Sequence, residues 1–162
     1  MPQNPLVIDA QSPADITKVR ELFVEYQRAL GVDLCFQAFD QELASLPGRY
    51  ARPSGRLLLA NHGESVLGVV GLRALDAADC EMKRLYVRPA GRGLGVGRLL
   101  TTTLINEARL AGYHRMLLDT LPGMTEAQRI YRSMGFREIA PYCENPIAGT
   151  LYMALDLTAP AP

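Results

Sequence analysis

Apolar residues recur along the chain with two different spacings. In several segments they fall at intervals of three and four, which predicts amphipathic helices. Between these segments lie short runs rich in Val, Leu and Ile, bounded by Gly, Pro, Asn or Asp, which predict strands. The predicted order is β-α-α-β-β-β-α-β-α-β-β. The predicted strands are 6–8, 56–60, 65–72, 80–87, 116–120, 136–142 and 150–157; the predicted helices follow Ser12, carry Phe36 to Leu46, begin at Val96 and follow Thr125.

Local signals mark the ends of these helices. Ser12 precedes Pro13, which is the arrangement of an N-cap residue followed by a proline at the first helical position. Gly31 follows the last apolar residue of that segment and predicts its end. Thr125 and Gln128 have the spacing of a capping box at the start of the last helix.

The pattern of strands and helices is continuous along the chain. Its 162 residues are 48% hydrophobic, which suits a folded globule with a substantial core. No repeat or linker interrupts the pattern, so we predict a single α/β domain over residues 1–158. The last four residues, 159–162, alternate Ala and Pro and predict a disordered tail.

The charges exclude some partners. The chain has 17 basic and 17 acidic residues and a formal net charge of zero, which argues against nucleic acid, because phosphate-backbone binding needs excess Lys and Arg. Basic residues do concentrate locally, which suits one small polyanionic ligand. These residues are Lys83, Arg84, Arg88, Arg92 and Arg98.

The remaining composition predicts a cytoplasmic protein. Cys35, Cys80 and Cys143 are odd in number and far apart, as expected of reduced thiols. The N-terminus lacks the pattern of a secretory signal, and no run of about 18 apolar residues predicts a membrane span. The two histidines lack metal-ligand spacing, so no metal is predicted.

A glycine-rich loop carries the clearest chemistry. Arg92-Gly93-Leu94-Gly95-Val96-Gly97-Arg98 follows an apolar strand and opens a predicted helix, so its backbone N–H groups and the helix dipole can hold an anion. The dinucleotide pattern fails, because Val96 or Arg98 stands where its third glycine is required, and the Walker pattern lacks its lysine. A ligand-free strand-to-helix turn is the alternative reading.

The pattern Arg-x-x-Gly-x-Gly resembles the pyrophosphate loop of the GNAT N-acetyltransferase superfamily. The strings Glu81-Met82-Lys83-Arg84-Leu85-Tyr86-Val87-Arg88-Pro89 and Tyr131-Arg132-Ser133-Met134-Gly135-Phe136 are similar to a bacterial subgroup of small-molecule N-acetyltransferases. The resemblance is strongest over residues 80–135. It implies an α/β (α+β) GNAT fold, with a mixed central sheet of about six to seven strands and four flanking helices, splayed between two central parallel strands.

The resemblance also implies acetyl-coenzyme A as the co-substrate. Its pantetheine arm would pair with the strand before the loop, through the backbone of Leu85 and Val87. Many relatives carry an asparagine seven residues before the catalytic tyrosine, where this chain has Met124, so Thr120 or backbone would replace that contact. The implied cofactor-binding residues are Leu85, Tyr86, Val87, Arg92, Gly93, Leu94, Gly95, Val96, Gly97, Arg98 and Thr120.

Two residues carry the implied catalysis. Glu81 lies eleven residues before Arg92, at the offset of the catalytic glutamate in the histone-acetylating branch, and would act as general base, directly or through a water. It could instead be a strand-surface carboxylate paired with Lys83 or Arg84. Tyr131 occupies the place of the superfamily's general acid, which protonates the departing thiolate; apolar spacing alone would make it a core residue.

The acceptor is the least determined part. The resemblance places its pocket between the two N-terminal helices and the final hairpin, which names Tyr26, Leu34, Phe36, Tyr142 and Asn145. A small amine is predicted, and the absence of an acidic run makes a basic protein tail less favoured. A non-catalytic acyl-coenzyme A-binding module, a protein N-acetyltransferase and a nucleotide-binding protein are the alternatives. A homodimer is compatible with the sequence.

Overall fold

Every strand that the sequence predicts is present in the computed structural model, which describes residues 4–31 and 38–159. The strands join in one sheet. They are β1 (Leu6–Asp9), β2 (Arg56–His62), β3 (Ser65–Ala74), β4 (Asp79–Val87), β5 (Arg115–Thr120), β6 (Arg137–Ile139) and β7 (Leu151–Asp156). The helices are α1 (Pro13–Leu30), α2 (Phe39–Ser45), α3 (Val96–Leu110) and α4 (Thr125–Ser133).

The sheet has the order β1-β2-β3-β4-β5-β7-β6. All neighbours are antiparallel except β4 and β5, which run parallel because α3 crosses between them. The last register pair of β4 and β5 is Glu81 with Leu117, although both strands continue well past it. The sheet therefore splays between its central parallel strands, as predicted.

Helices cover both faces of the sheet because its inner strands are apolar on both sides. Along β2, Leu58 and Ala60 join the core beneath α3 and α4, whereas Leu57 and Leu59 join the core beneath α1 and α2. This two-sided burial explains the continuous apolar run of β2.

The ends of α1 confirm their prediction, whereas the capping box at α4 is wrong. Ser12 accepts a hydrogen bond from the Asp15 backbone N–H at 3.1 Å, and Gly31 ends the helix with φ of 64°. Thr125 is already helical, and the N-cap is Met124, which has no capping side chain. The Gln128 side chain donates to the Leu121 carbonyl at 2.9 Å instead.

Three predicted boundaries also shift. The second helix begins at Phe39, and Phe36 lies outside the described residues. Asn61 and His62, which lie between the predicted strands 56–60 and 65–72, belong to β2 and pair with Val66 and Ser65 after a shift in register at Ala60 and Asn61. The strand predicted from residue 136 is only Arg137–Ile139, and a loop then leads to β7.

Candidate functional site

A groove of about 810 Å³ opens at the splay between β4 and β5. One wall is the end of β4, the floor is the glycine loop with the start of α3, and α1 and α4 form the sides. The residues from β4 and the loop that line it are Leu85, Tyr86, Val87, Gly91, Arg92, Gly93, Gly95, Val96, Gly97 and Arg98. This is the shape expected for a long, thin ligand with an anionic part over the loop.

The glycine loop presents backbone to this groove. Gly95 is the N-cap of α3, with φ of 74° and no side-chain cap, and Gly93 has φ of 79°. A Cβ added at either position would find no atom within 4 Å. The first N–H groups of a helix lack intrahelical partners, so those of α3 can bind an anion. Arg92 and Arg98 line the same groove and add positive charge.

A bulge in β4 sets the direction of the groove wall. Arg84 has φ of 62°, a conformation that side chains rarely adopt, and the register with β3 shifts between Val69 and Gly71. Contacts with α2 hold the bulge in place. The Arg84 guanidinium donates to both Glu42 oxygens, at 3.0 and 3.2 Å, and lies 4.9 Å from the centre of the Phe39 ring.

A small inner pocket of about 30 Å³ continues the groove inward between the splayed strands. The two cavities share Tyr26, Leu30, Leu85 and Met124, so a ligand lying in the groove can reach the pocket. Charged and polar side chains are concentrated here. The pocket is lined by Tyr26, Leu30, Met82, Lys83, Arg84, Leu85, Leu118, Asp119, Thr120, Leu121, Met124, Tyr131 and Asn145.

Tyr131 reaches the inner pocket from α4. Its side chain is 4% exposed and packs against Phe136, with ring centres 5.6 Å apart. Burial raises the pKa of Tyr131 above the ordinary value of a phenol, and the nearby Tyr26 hydroxyl and Asp119 carboxylate raise it further. The phenol is therefore protonated at neutral pH and can donate a proton.

Glu81 lies on β4 and is buried, with both carboxylate oxygens occupied. Oε1 accepts a hydrogen bond from Arg73 Nε at 2.8 Å, and Oε2 accepts one from the Tyr142 hydroxyl at 2.6 Å. Burial and the negative charge of Glu81 raise the pKa of Tyr142, so this phenol also keeps its proton. Glu81 is not among the residues that line the inner pocket, and Tyr142 contacts it from the loop between β6 and β7.

A second ion pair faces the inner pocket. Lys83 Nζ lies 3.3 Å from Asp119 Oδ1, and the Asn145 side chain donates to Asp119 Oδ2 at 3.1 Å. Glu42 joins Arg84 to the pair of Arg73 and Glu81, because it contacts Arg84 and also lies 3.8 Å from Arg73. Each of these buried charges thus has an oppositely charged partner, as charged groups need when they are removed from water.

Comparison with known proteins agrees with this geometry. Residues 16–136 match the acetyltransferase (GNAT) family. The chain belongs to the GNAT acetyltransferase family. The predicted superfamily, GNAT fold and acyltransferase class are thereby confirmed.

Individual relatives extend the match over nearly the whole chain. An uncharacterized N-acetyltransferase of Schizosaccharomyces pombe is 40% identical over 97% of this chain and 98% of its own. An IAA acetyltransferase of Azospirillum brasilense is 36% identical over 85% of this chain and 88% of its own. The solved structure of yncA, a putative acetyltransferase from Salmonella typhimurium with its cofactor acetyl-CoA, is similar in fold, with a TM-score of 0.73, 23% identity, and coverage of 99% and 98%.

The structure brings most predicted site residues of this acetyltransferase together. Tyr26, Thr120 and Asn145 line the inner pocket with Tyr131, and Tyr142 contacts Glu81. Among the described residues, the Thr120 hydroxyl is one of three buried side-chain polar atoms with no hydrogen-bond partner. Of the other predicted residues, one lies away from the groove and two lie outside the described residues. Leu94 is 54% exposed and does not line the groove, and Leu34 and Phe36 lie outside the described residues.

The sequence does not place four charged residues in this GNAT site, namely Glu42, Arg73, Lys83 and Asp119; it indicates Lys83 only as part of the basic cluster and as a possible partner of Glu81. A signal existed for two of them. Lys83 shares a strand face with Glu81, and Asp119 directly follows the apolar run Met116 to Leu118. Glu42 gives no such signal, because a glutamate at its position on α2 is typical of a solvent-exposed helix face.

The described residues contain no group of three or more His, Cys, Asp or Glu side chains that could hold a metal ion. Within residues 4–31 and 38–159, no helix is both long and apolar enough to cross a membrane.

Proposed function

We propose that this acetyltransferase transfers the acetyl group of acetyl-coenzyme A to a primary amine of a small molecule, by direct attack in a ternary complex. The observation that carries the proposal is the continuity of the site. One groove has an uncapped helix N-terminus at one end and opens at the other into a pocket containing a buried, protonated tyrosine.

The donor lies along the groove in this proposal. The pyrophosphate binds the backbone of Gly93 to Arg98, and the pantetheine arm pairs with the exposed edge of β4 at Leu85 and Val87. Thr120 supplies its hydroxyl where many relatives use an asparagine, since Met124 can offer no amide there. The acetyl-CoA in the Salmonella structure supports this donor.

The reaction follows from positioning and two proton transfers. The acceptor nitrogen attacks the thioester carbonyl carbon, a C–N bond forms, and the C–S bond breaks. Tyr131 donates its proton to the departing thiolate. The nitrogen loses a proton to Glu81 through the Tyr142 hydroxyl, which already donates to that carboxylate at 2.6 Å. Holding both reactants in one geometry contributes about 7–11 kcal/mol to such reactions.

The small inner pocket supports a small acceptor rather than a protein tail, and the Azospirillum relative is named for a small molecule. The single-domain organisation over residues 1–158, the disordered tail, the cytoplasmic location and the homodimer stay predictions.

A panel of primary amines with acetyl-coenzyme A, in which the release of free thiol is measured, tests the function. Tight coenzyme A binding with no turnover on any amine would favour the non-catalytic binding module instead.

Gly95→Asp is expected to abolish stabilisation by coenzyme A while leaving a folded protein. The added side chain enters open space, so the only cost to the fold is backbone strain at φ of 74°, but its carboxylate faces the pyrophosphate. Wild-type protein should gain about 2.7 kcal/mol at a coenzyme A concentration 100 times its Kd. Thermal melts with and without coenzyme A measure both proteins.

Gly63→Asp is the matched control for that experiment. Gly63 has φ of 62° and the same open space around an added Cβ, but lies in the β2–β3 turn away from the groove. It should keep the full stabilisation by coenzyme A. A normal thermal shift in the Gly95 variant would refute the assignment of the loop.

A further inference from the structure

The ion pair of Lys83 and Asp119 spans the open part of the sheet. The paired register of β4 and β5 ends at Glu81 with Leu117, and these two residues follow two positions later on each strand. Their side chains are 6% and 7% exposed, and the charged atoms lie 3.3 Å apart. A cation on one strand and an anion on the other therefore form an ion pair across the splay, where the two strands no longer share backbone hydrogen bonds.

Asp119 is better placed than Glu81 to contact an amine in the inner pocket. Among the described residues that line the inner pocket, it carries the only carboxylate, and Glu81 does not line it. Asn145 holds Asp119 Oδ2 and thus fixes the orientation of the carboxylate. The charge of Asp119 contributes to raising the pKa of both Tyr26 and Tyr131, which places it close to the phenol that serves as the proton donor.

Among residues 4–31 and 38–159, the charges around the pocket are balanced. Lys83, Arg84 and Arg73 contribute three cations, and the three carboxylates that pair with them are those of Asp119, Glu42 and Glu81. A polyamine would bring several uncompensated positive charges into this buried region, which costs free energy. A zwitterion brings one charge of each sign and keeps the balance.

Building on the function proposed above, we propose that the acceptor is a small amino acid. Its amino group faces the Asp119 carboxylate, beside the thioester, and its carboxylate faces the Lys83 ammonium. The internal ion pair opens on binding, and each partner takes the opposite charge of the substrate. The pair thus selects for both ends of the acceptor rather than for the amine alone.

Matched sets of acceptors test this selection. Each set contains a small amino acid, its carboxamide and its decarboxylated amine, for example alanine, alaninamide and ethylamine, and spermidine is assayed beside them. We expect kcat/KM for the amino acid to exceed that of its two analogues by about 10- to 100-fold, the range of a charged hydrogen bond. Equal or better rates with the analogues or with spermidine would overturn the proposal.

Variants assign the selection to the ion pair. Lys83→Met should remove the preference for the amino acid over its carboxamide, whereas Asp119→Asn should lower the rate for both. If the ion pair only held the two strands together, each variant would instead reduce stability and slow the acetylation of every acceptor by the same factor. The double variant Lys83→Met/Asp119→Asn removes both charges together and leaves no unpaired buried charge, so it can be assayed if a single change unfolds the protein. It should show no preference between the amino acid and its carboxamide.

The chain offers a matched control at the other end of the same two strands. Asp79 and Arg115 form an ion pair of 2.7 Å, four residues before Lys83 and Asp119, with side chains 20% and 48% exposed. Asp79→Asn/Arg115→Met should leave the ratio of amino acid to carboxamide unchanged. A changed ratio in this control would overturn the assignment to the pocket.

A binding measurement separates this inference from the proposed function. If no amine is acetylated although coenzyme A stabilises the protein, catalysis fails while the pocket can still be tested. In that case, amino acids added at saturating coenzyme A should raise the Tm further, and their carboxamides should not. No additional rise in Tm with any amino acid would overturn the inference as well.

Discussion

Replacing Tyr131 with phenylalanine is expected to lower kcat by about 100- to 10,000-fold, the usual contribution of a positioned acid. The ring and its contact with Phe136 remain, so the core and the binding of acetyl-coenzyme A should hardly change. Only the hydroxyl is lost, and with it the proton for the thiolate. Because burial raises the pKa of this phenol, the wild-type residue stays protonated through the neutral and mildly alkaline range.

Steady-state kinetics on any acceptor found by the amine panel measure this effect. A fall in kcat with little change in KM indicates an interaction made only in the transition state. Tyr113→Phe is the matched control, since Tyr113 belongs to the same core and its hydroxyl donates to the Ser54 carbonyl at 2.6 Å, away from the groove. Wild-type kcat in the Tyr131 variant would show that the residue only packs.

The elements of the fold could be predicted because their signals are local. The periodic apolar residues of α1, its N-cap Ser12 and its terminal Gly31 all lie within one segment, and the structure keeps each of them. The same holds for β4, whose last three residues are apolar, and the glycine loop that follows it, where a strand, three glycines and a helix occur in sequence order. Local agreement of this kind is typical of natural sequences.

The polar lining of the pocket could not be predicted, because it depends on residues distant in sequence. Glu42 and Arg84 are 42 positions apart, and nothing in either segment indicates that a helix near the N-terminus holds the bulge of β4. The positive φ at Arg84 was equally hidden, since that conformation usually signals glycine or asparagine. The final hairpin brought Tyr142 onto Glu81 in the same unpredictable way.

The capping box failed for a different reason. Thr125 and Gln128 have the correct spacing, but Gln128 reaches back to the Leu121 carbonyl and α4 therefore includes Thr125. Leu121 and Met124 line the inner pocket. At this point the chain forms a wall of the site and does not adopt the most favourable helix cap. Rules for local structure often fail at functional sites.

Glu81→Gln is expected to depress kcat/KM by about 100- to 10,000-fold at low and neutral pH, and by less at high pH. Glutamine has nearly the same shape and can still accept a hydrogen bond from Arg73, but it cannot take a proton from the acceptor. As the pH rises, more of the acceptor is already a free amine and the missing base matters less. Replacing the buried carboxylate beside Arg73 should also cost about 1–3 kcal/mol of stability, which urea unfolding measures separately.

Tyr142→Phe makes the comparison decisive. If the proton passes through the Tyr142 hydroxyl to Glu81, this variant should show the same pH-dependent defect, because its ring stays against Tyr152 while the relay is broken. The measurement is the pH profile of kcat/KM for the three proteins on one amine. Profiles that run parallel to the wild type at a lower rate would mean that Glu81 positions the acceptor side of the site through Arg73 and Tyr142. Profiles that coincide with the wild type would leave Glu81 as a buried structural carboxylate. Among the described residues that line the pocket, Asp119 would then be the carboxylate able to receive the proton.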